Sequence, residues 1–110
     1  MLAFSVVAAA PGANEGQKAQ PVDAAPKDVS FSGGDGNGCD HAIVINGAKG
    51  TRDSVASEMA WLRAHYPGYK FRETTVQTRG KRSFEEVAIE TAAVEKRVVC
   101  FDVTEGFGTL

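Results

Sequence analysis

Cys39 and His41 stand two residues apart at the end of Gly33–His41, GGDGNGCDH, which also holds four glycines, two aspartates and an asparagine. A thiol and an imidazole at that spacing share a face of an extended strand and could form a thiolate–imidazolium pair, oriented by Asp35 or Asp40. No neighbouring cation or helix start marks a lowered thiol pKa. The second cysteine, Cys100, offers a different fate. A Cys39–Cys100 disulfide would close a loop of about 60 residues, worth roughly 4 kcal/mol by chain entropy. Strand parity speaks against it. Cys39 falls in phase with Ile43 and Ile45, whereas Cys100 falls out of phase with Val99 and Phe101, so the two sulfurs would point to opposite faces. Glycines before Cys39 could break that parity, and the disulfide and the free thiol both stay open.

The same segment fails as a cation or phosphate loop. Read as an EF-type calcium loop, Asp35 and Asn37 fit the first and third positions. Cys39 then occupies the fifth, Asp40 stands where the turn needs glycine, and Asn46 stands where a bidentate glutamate is required. Zinc held by Cys39, His41 and Asp35 or Asp40 lacks CxxC or HxxxH spacing. A P-loop needs a lysine, a hydroxyl and a helix directly after the glycines, and here a strand follows. No metal or cofactor is expected. The remaining reading is structural: glycines allow positive φ and Asp/Asn side chains bond their own backbone, which suits an entry into a strand.

Two further clusters could bind. Glu58, Trp61 and His65 fall at i, i+3 and i+7 and form one helical ridge. The more economical reading of Trp61 is packing over the sheet, because a chain of 110 residues needs its large apolar side chains for burial. Arg79, Lys81 and Arg82 gather at a turn, with Lys70 and Arg72 further down the strand. They could meet an acidic partner or simply solvate the hairpin tip. Nucleic acid is not expected as a partner, since the net charge is −2 and no aromatic platform is evident.

The elements that must position these residues follow from periodicity. Leu2–Ala10 is an apolar run ending in small residues, so residues 1–13 read as a secretory signal, although no Lys or Arg precedes the run. The run is too short to span a bilayer, and no membrane insertion of the mature domain is expected. Residues 14–32, with Pro21, Pro26 and scattered charge, read as a flexible linker. Residues 33–110 read as one domain. Within it, Ile43–Ile45 predicts a strand. Thr51 is a plausible N-cap for a helix whose apolar stripe is Val55, Met59, Leu62 and Tyr66, ended by Pro67-Gly68. Tyr69–Thr78, Ser83–Thr91 and Lys96–Val103 predict three strands of a meander. The expected fold is a two-layer α+β domain of order β-α-β-β-β, one amphipathic helix on a four-stranded, mostly antiparallel sheet. The last strand is apolar on both faces, so it should be central, with the first strand beside it.

GGDGNGCDHAIVINGAKG, YPGYKF and VVCFDVTEGFG together resemble a group of small exported bacterial proteins. In that group a GGDG entry loop precedes a short strand and a helix, and a Phe-Asp strand end leads to a Phe-Gly tail. The resemblance covers Gly33–Gly108 and is carried by Gly33, Gly34, Asp35, Gly36, Phe101, Asp102, Phe107 and Gly108, with Asn37 where the group would have serine. It implies a fold and no activity. A helix followed by antiparallel hairpins also looks like the cystatin-type arrangement, with Gly34 and the Gln77–Gly80 and Ala92–Glu95 loops in a row. QTRG is one residue short of the QxVxG loop, and no Pro-Trp loop follows. The expectation is an exported, non-enzymatic module, periplasmic or secreted, that binds a protein or envelope component, with Glu58, Trp61, His65, Arg79, Lys81 and Arg82 as candidate surface. The rival is a small thiol-dependent enzyme or redox protein using Cys39 with His41.

Overall fold

The structure, a computed structural model, describes residues 25–107. The signal-like segment and the linker as far as residue 24 lie outside the described residues. The elements are β1 (Ser30–Gly33), a 3-10 turn (Cys39–His41), β2 (Ile43–Asn46), α1 (Thr51–His65), β3 (Lys70–Arg79), β4 (Arg82–Glu90), β5 (Lys96–Asp102) and α2 (Thr104–Phe107).

They form an α+β domain with one main helix and a five-stranded mixed sheet, ordered β1-β2-β5-β4-β3. β2 runs parallel to β5, and every other neighbour is antiparallel. The central place of β5 and its pairing with β2 agree with its apolar run. The sheet has one strand more than expected. Ser30–Ser32, assigned to the linker, belong to β1, where Phe31 pairs with Ile45. Val29 and Phe31 pack against the core, and that burial orders a segment whose polar neighbours hid it.

One face of the sheet carries the core. Ile43, Ile45, Val87, Ile89, Val99 and Phe101 meet Leu62 of α1, and Val103 and Ala48 close its end. The other face carries a smaller cluster of Cys39, Ala42, Phe84 and Cys100.

α1 is rotated from its expected stripe. Its buried residues are Ser54, Ser57, Glu58, Ala60 and Leu62, whereas Val55 is 37% exposed. The cause is close approach. A Cβ on Gly106 of α2 would lie 2.1 Å from Ser54 Oγ, so only small side chains fit where α2 crosses α1. The serine hydroxyls donate back to the helix, Ser54 to the Gly50 carbonyl and Ser57 to that of Asp53. The N-cap is Gly50, with φ 99°, rather than Thr51. No side chain caps the helix; Asp53 in the first turn accepts the Lys49 N–H at 2.9 Å and so holds the chain that enters the helix.

The glycine-rich loop lies flat on the sheet. Gly36 donates to the His41 carbonyl and accepts from the Cys100 N–H, so the loop extends the sheet beside β5. Gly36 is buried at φ 86°, and a Cβ there would stand 2.7 Å from both Ile43 Cδ1 and Val99 Cγ1. Gly36→Ala should therefore cost about 1–3 kcal/mol through overpacking and positive-φ strain. Urea denaturation checks this, and an unchanged midpoint would show that the loop can lift away.

Candidate functional site

Cys39 and Cys100 are joined in a disulfide, with Cα atoms 5.2 Å apart. The parity reading of Cys100 holds: it pairs with Glu86 and points away from Val99 and Phe101. What breaks the parity of Cys39 is the 3-10 turn Cys39–His41, entered at Gly38 with φ 90°, which turns its side chain onto the face opposite the helix. Cys39 therefore holds no free thiol in this state. His41 is exposed beside it. Asp35 accepts the Asn37 N–H at 2.9 Å, which is the turn chemistry expected of the loop. Among the described residues no three His, Cys, Asp or Glu side chains gather as a metal site.

The basic hairpin tip is largely tied down. Arg82 Nε meets Asp102 Oδ2 at 2.7 Å, and Arg79 Nη1 meets Asp40 Oδ1 at 3.2 Å. Arg79 also lies over the Phe84 ring. Lys81 makes no ion pair among the described residues. Burial alone would raise the pKa of Asp102. Hydrogen bonds from Arg82 and Thr104, with the Arg82 charge, overcome that and hold it below the usual carboxylate range. Asp102 thus anchors the tip and the start of α2, whose Thr104 N–H it accepts at 3.0 Å.

The ridge Glu58, Trp61, His65 splits. Trp61 packs edge-on against Phe101, with ring centroids 5.6 Å apart, and His65 stacks on its outer face at 3.8 Å. His65 stays exposed. Glu58 turns inward and is only 4% exposed; it meets Glu85 of β4, 6% exposed. Glu58 Oε2 and Glu85 Oε1 are buried without a donor from any other group among the described residues. One proton between them satisfies both. Burial first, then the hydrogen bond to Glu85 and its charge, push the pKa of Glu58 up to about 10. At neutral pH Glu58 is therefore a neutral acid donating to Glu85.

This pair lies at the floor of a cavity of about 130 Å³ between α1 and β3, walled by Val55, Met59, Leu62, Phe71 and Val87. β3 forms the outer rim. Nine of its ten residues are exposed, Gln77 alone being half-buried. Register with β4 puts Phe71, Thr74, Val76 and Thr78 on the helix side, opposite Ile89, Val87, Glu85 and Ser83. Phe71 is 48% exposed and Val76 53%. Two large apolar side chains thus stand exposed on the helix side of a strand that is last in the sheet order, with no neighbour on its outer edge among the described residues. Glu85 was missed as a candidate, although the alternation that sends Val87 and Ile89 inward sends it inward too.

No family model, curated protein or solved structure matches the chain. No helix among the described residues is long and apolar enough to cross a membrane.

Proposed function

We propose that this chain is a non-enzymatic interaction module of an oxidising compartment, periplasmic or secreted, which binds a protein or envelope component along the open edge of β3. The observation that carries this is β3 itself, ten residues at the sheet edge with Phe71 and Val76 exposed on one face. Proteins blunt such edges with short strands, prolines or charges. The other edge, β1, has four residues. β3 is long, and Thr74–Thr78, TTVQT, contains neither charge nor proline. An unpaired edge of that kind takes up an extended strand through main-chain hydrogen bonds. The disulfide supports the compartment, because such bonds persist outside reducing cytoplasm. The rival enzyme needs a Cys39 thiolate, and that sulfur is already bonded to Cys100.

Two experiments test the proposal. Intact mass from the native host, alkylated without reduction, should lack the first 10 to 13 residues predicted as a signal and carry no alkyl adduct. A retained leader with one rapidly alkylated thiol would overturn the compartment. For the surface, a photo-crosslinking residue at Thr78 should trap a partner in intact cells. Val76→Pro should abolish the adduct, because it removes only an edge-facing N–H. Equal trapping from an identical probe at exposed Thr51 would sink the β3 assignment.

A further inference from the structure

We infer that the strand β3 accepts is the β3 of a second copy, paired antiparallel about Val76 to make a two-fold symmetric dimer with one continuous sheet. This rests on β3 being the docking edge and deepens that reading by naming the partner.

The register follows from hydrogen-bond direction and charge. Gly80 and Lys81 form a two-residue turn, with Gly80 at φ 62°, between paired Arg79 and Arg82. In a two-residue hairpin the flanking pair exchanges both backbone hydrogen bonds, and the pattern then alternates. Arg79, Gln77 and Thr75 therefore bond inward to β4. Thr74, Val76 and Thr78 direct their N–H and C=O groups to the open edge.

A symmetric partner must match outward groups with outward groups, and faces with faces. Pairing about Val76 does both. Val76 meets Val76 of the other copy and Thr74 meets Thr78 on the helix side. Thr75 meets Gln77 on the opposite face. On that same face Glu73 meets Arg79, twice across the dimer. Glu73 makes no ion pair among the described residues. Arg79 is half exposed, and its five-donor guanidinium can serve both Asp40 and a second carboxylate. A shift about Thr75 sets Glu73 against Gln77, and a shift about Gln77 sets it against Lys81 in the turn while Arg79 faces Thr75. Only the register about Val76 pairs both charges within the strands. The bulge between Phe71 and Glu73 ends the matching stretch at one side and the turn ends it at the other, which limits pairing to two strands and opposes open-ended assembly.

Sedimentation equilibrium of the full chain over a concentration series reads the result. The expected species has twice the 11.6 kDa chain mass. Glu73→Arg and Arg79→Glu alone should each weaken association by about tenfold or more, because like charges then face each other twice. Mixing the two variants should restore it, since one copy then carries two arginines and the other two glutamates. Restoration requires both variants to be folded, so it separates lost pairing from lost structure. A dimer indifferent to both changes, or variants that fail to rescue each other, would overturn the register and the proposal. A wild-type monomer whose Thr74, Val76 and Thr78 amides exchange quickly would overturn self-pairing and leave the edge open to a different protein. A monomer with those amides protected would mean that the chain covers its own edge, and both readings would fall.

Discussion

Replacing Cys39 and Cys100 together by alanine is expected to lower the unfolding free energy by about 4 kcal/mol. The bond spans 61 residues, and loop closure of that length removes much of the unfolded chain's freedom. The effect is large against the 5–15 kcal/mol that stabilises a typical domain. It is also local. The glycine-rich loop buries little apolar surface of its own. Apart from the bond of the Cys100 N–H to the Gly36 carbonyl, the disulfide is what holds it to β5. Without the bond the loop should open first, leaving Cys39, Ala42 and Phe84 less buried. Urea denaturation of the oxidised wild type and the double variant measures the loss, and hydrogen exchange at the Cys100 position reports the loop. A loss below about 1 kcal/mol would mean that the unfolded chain is already restricted over this span, and the chain-entropy account would fail. A comparable loss on adding a reductant to the wild type, with no further effect on the variant, would assign the whole difference to the bond.

The strands from residue 70 onward were legible because alternation, turn residues and apolar runs all agree there: Val87 and Ile89, Gly80 at the turn, and Val99 and Phe101 fall where those patterns put them. β1 was not legible. Its four residues carry a single large apolar side chain, and their pairing is set by β2, which is distant information for a local pattern. The helix was legible as an element and misread in phase. The apolar stripe Val55, Met59, Leu62, Tyr66 competes with the tight crossing of α2, where Gly106 demands Ser54 and leaves Val55 at the surface. Leu62 belongs to both phases. Once the rotation is known, Glu58 must point inward, four residues before Leu62 on the same face. The disulfide turned on a single 3-10 turn, Cys39–His41, which strand parity cannot anticipate. The open edge of β3 was in the sequence as a run without charge or proline. Its significance depends on β3 being last in the sheet order, which only the assembled topology shows.

The buried carboxyl pair yields the second large effect, and its sign is opposite to that of most acidic side chains. Glu58 holds its proton in the folded protein up to about pH 10, whereas a solvated glutamate loses it near 4.5. Between those values the folded state binds one proton that the unfolded chain releases. Stability is then fully present below the unfolded value and falls as pH rises towards the folded one. One bound proton corresponds to about 1.4 kcal/mol per pH unit, so two units between pH 6 and 8 are worth roughly 3 kcal/mol. Asp102, with its pKa lowered, acts the other way: its contribution is fully present and constant across this window, and it is lost only as pH falls through the carboxylate range below it. Glu58→Gln is the discriminating change. The amide N–H₂ can donate to Glu85 permanently, it has nearly the volume of the acid, and it does not titrate. The variant should match the wild type near pH 5 and exceed it by an amount that grows with pH. Its own stability should be nearly flat from pH 6 to 8. Urea melts at several pH values on both proteins measure this. Parallel pH curves for wild type and Glu58→Gln would show that no proton is shared, and that Glu58 is charged where it lies. Glu58→Leu is a harsher substitution, because it strands the Glu85 carboxylate without a donor in an apolar wall. That variant should be less stable than Glu58→Gln in the same urea melts, even though the cavity beside it is lined by Val55, Met59 and Leu62.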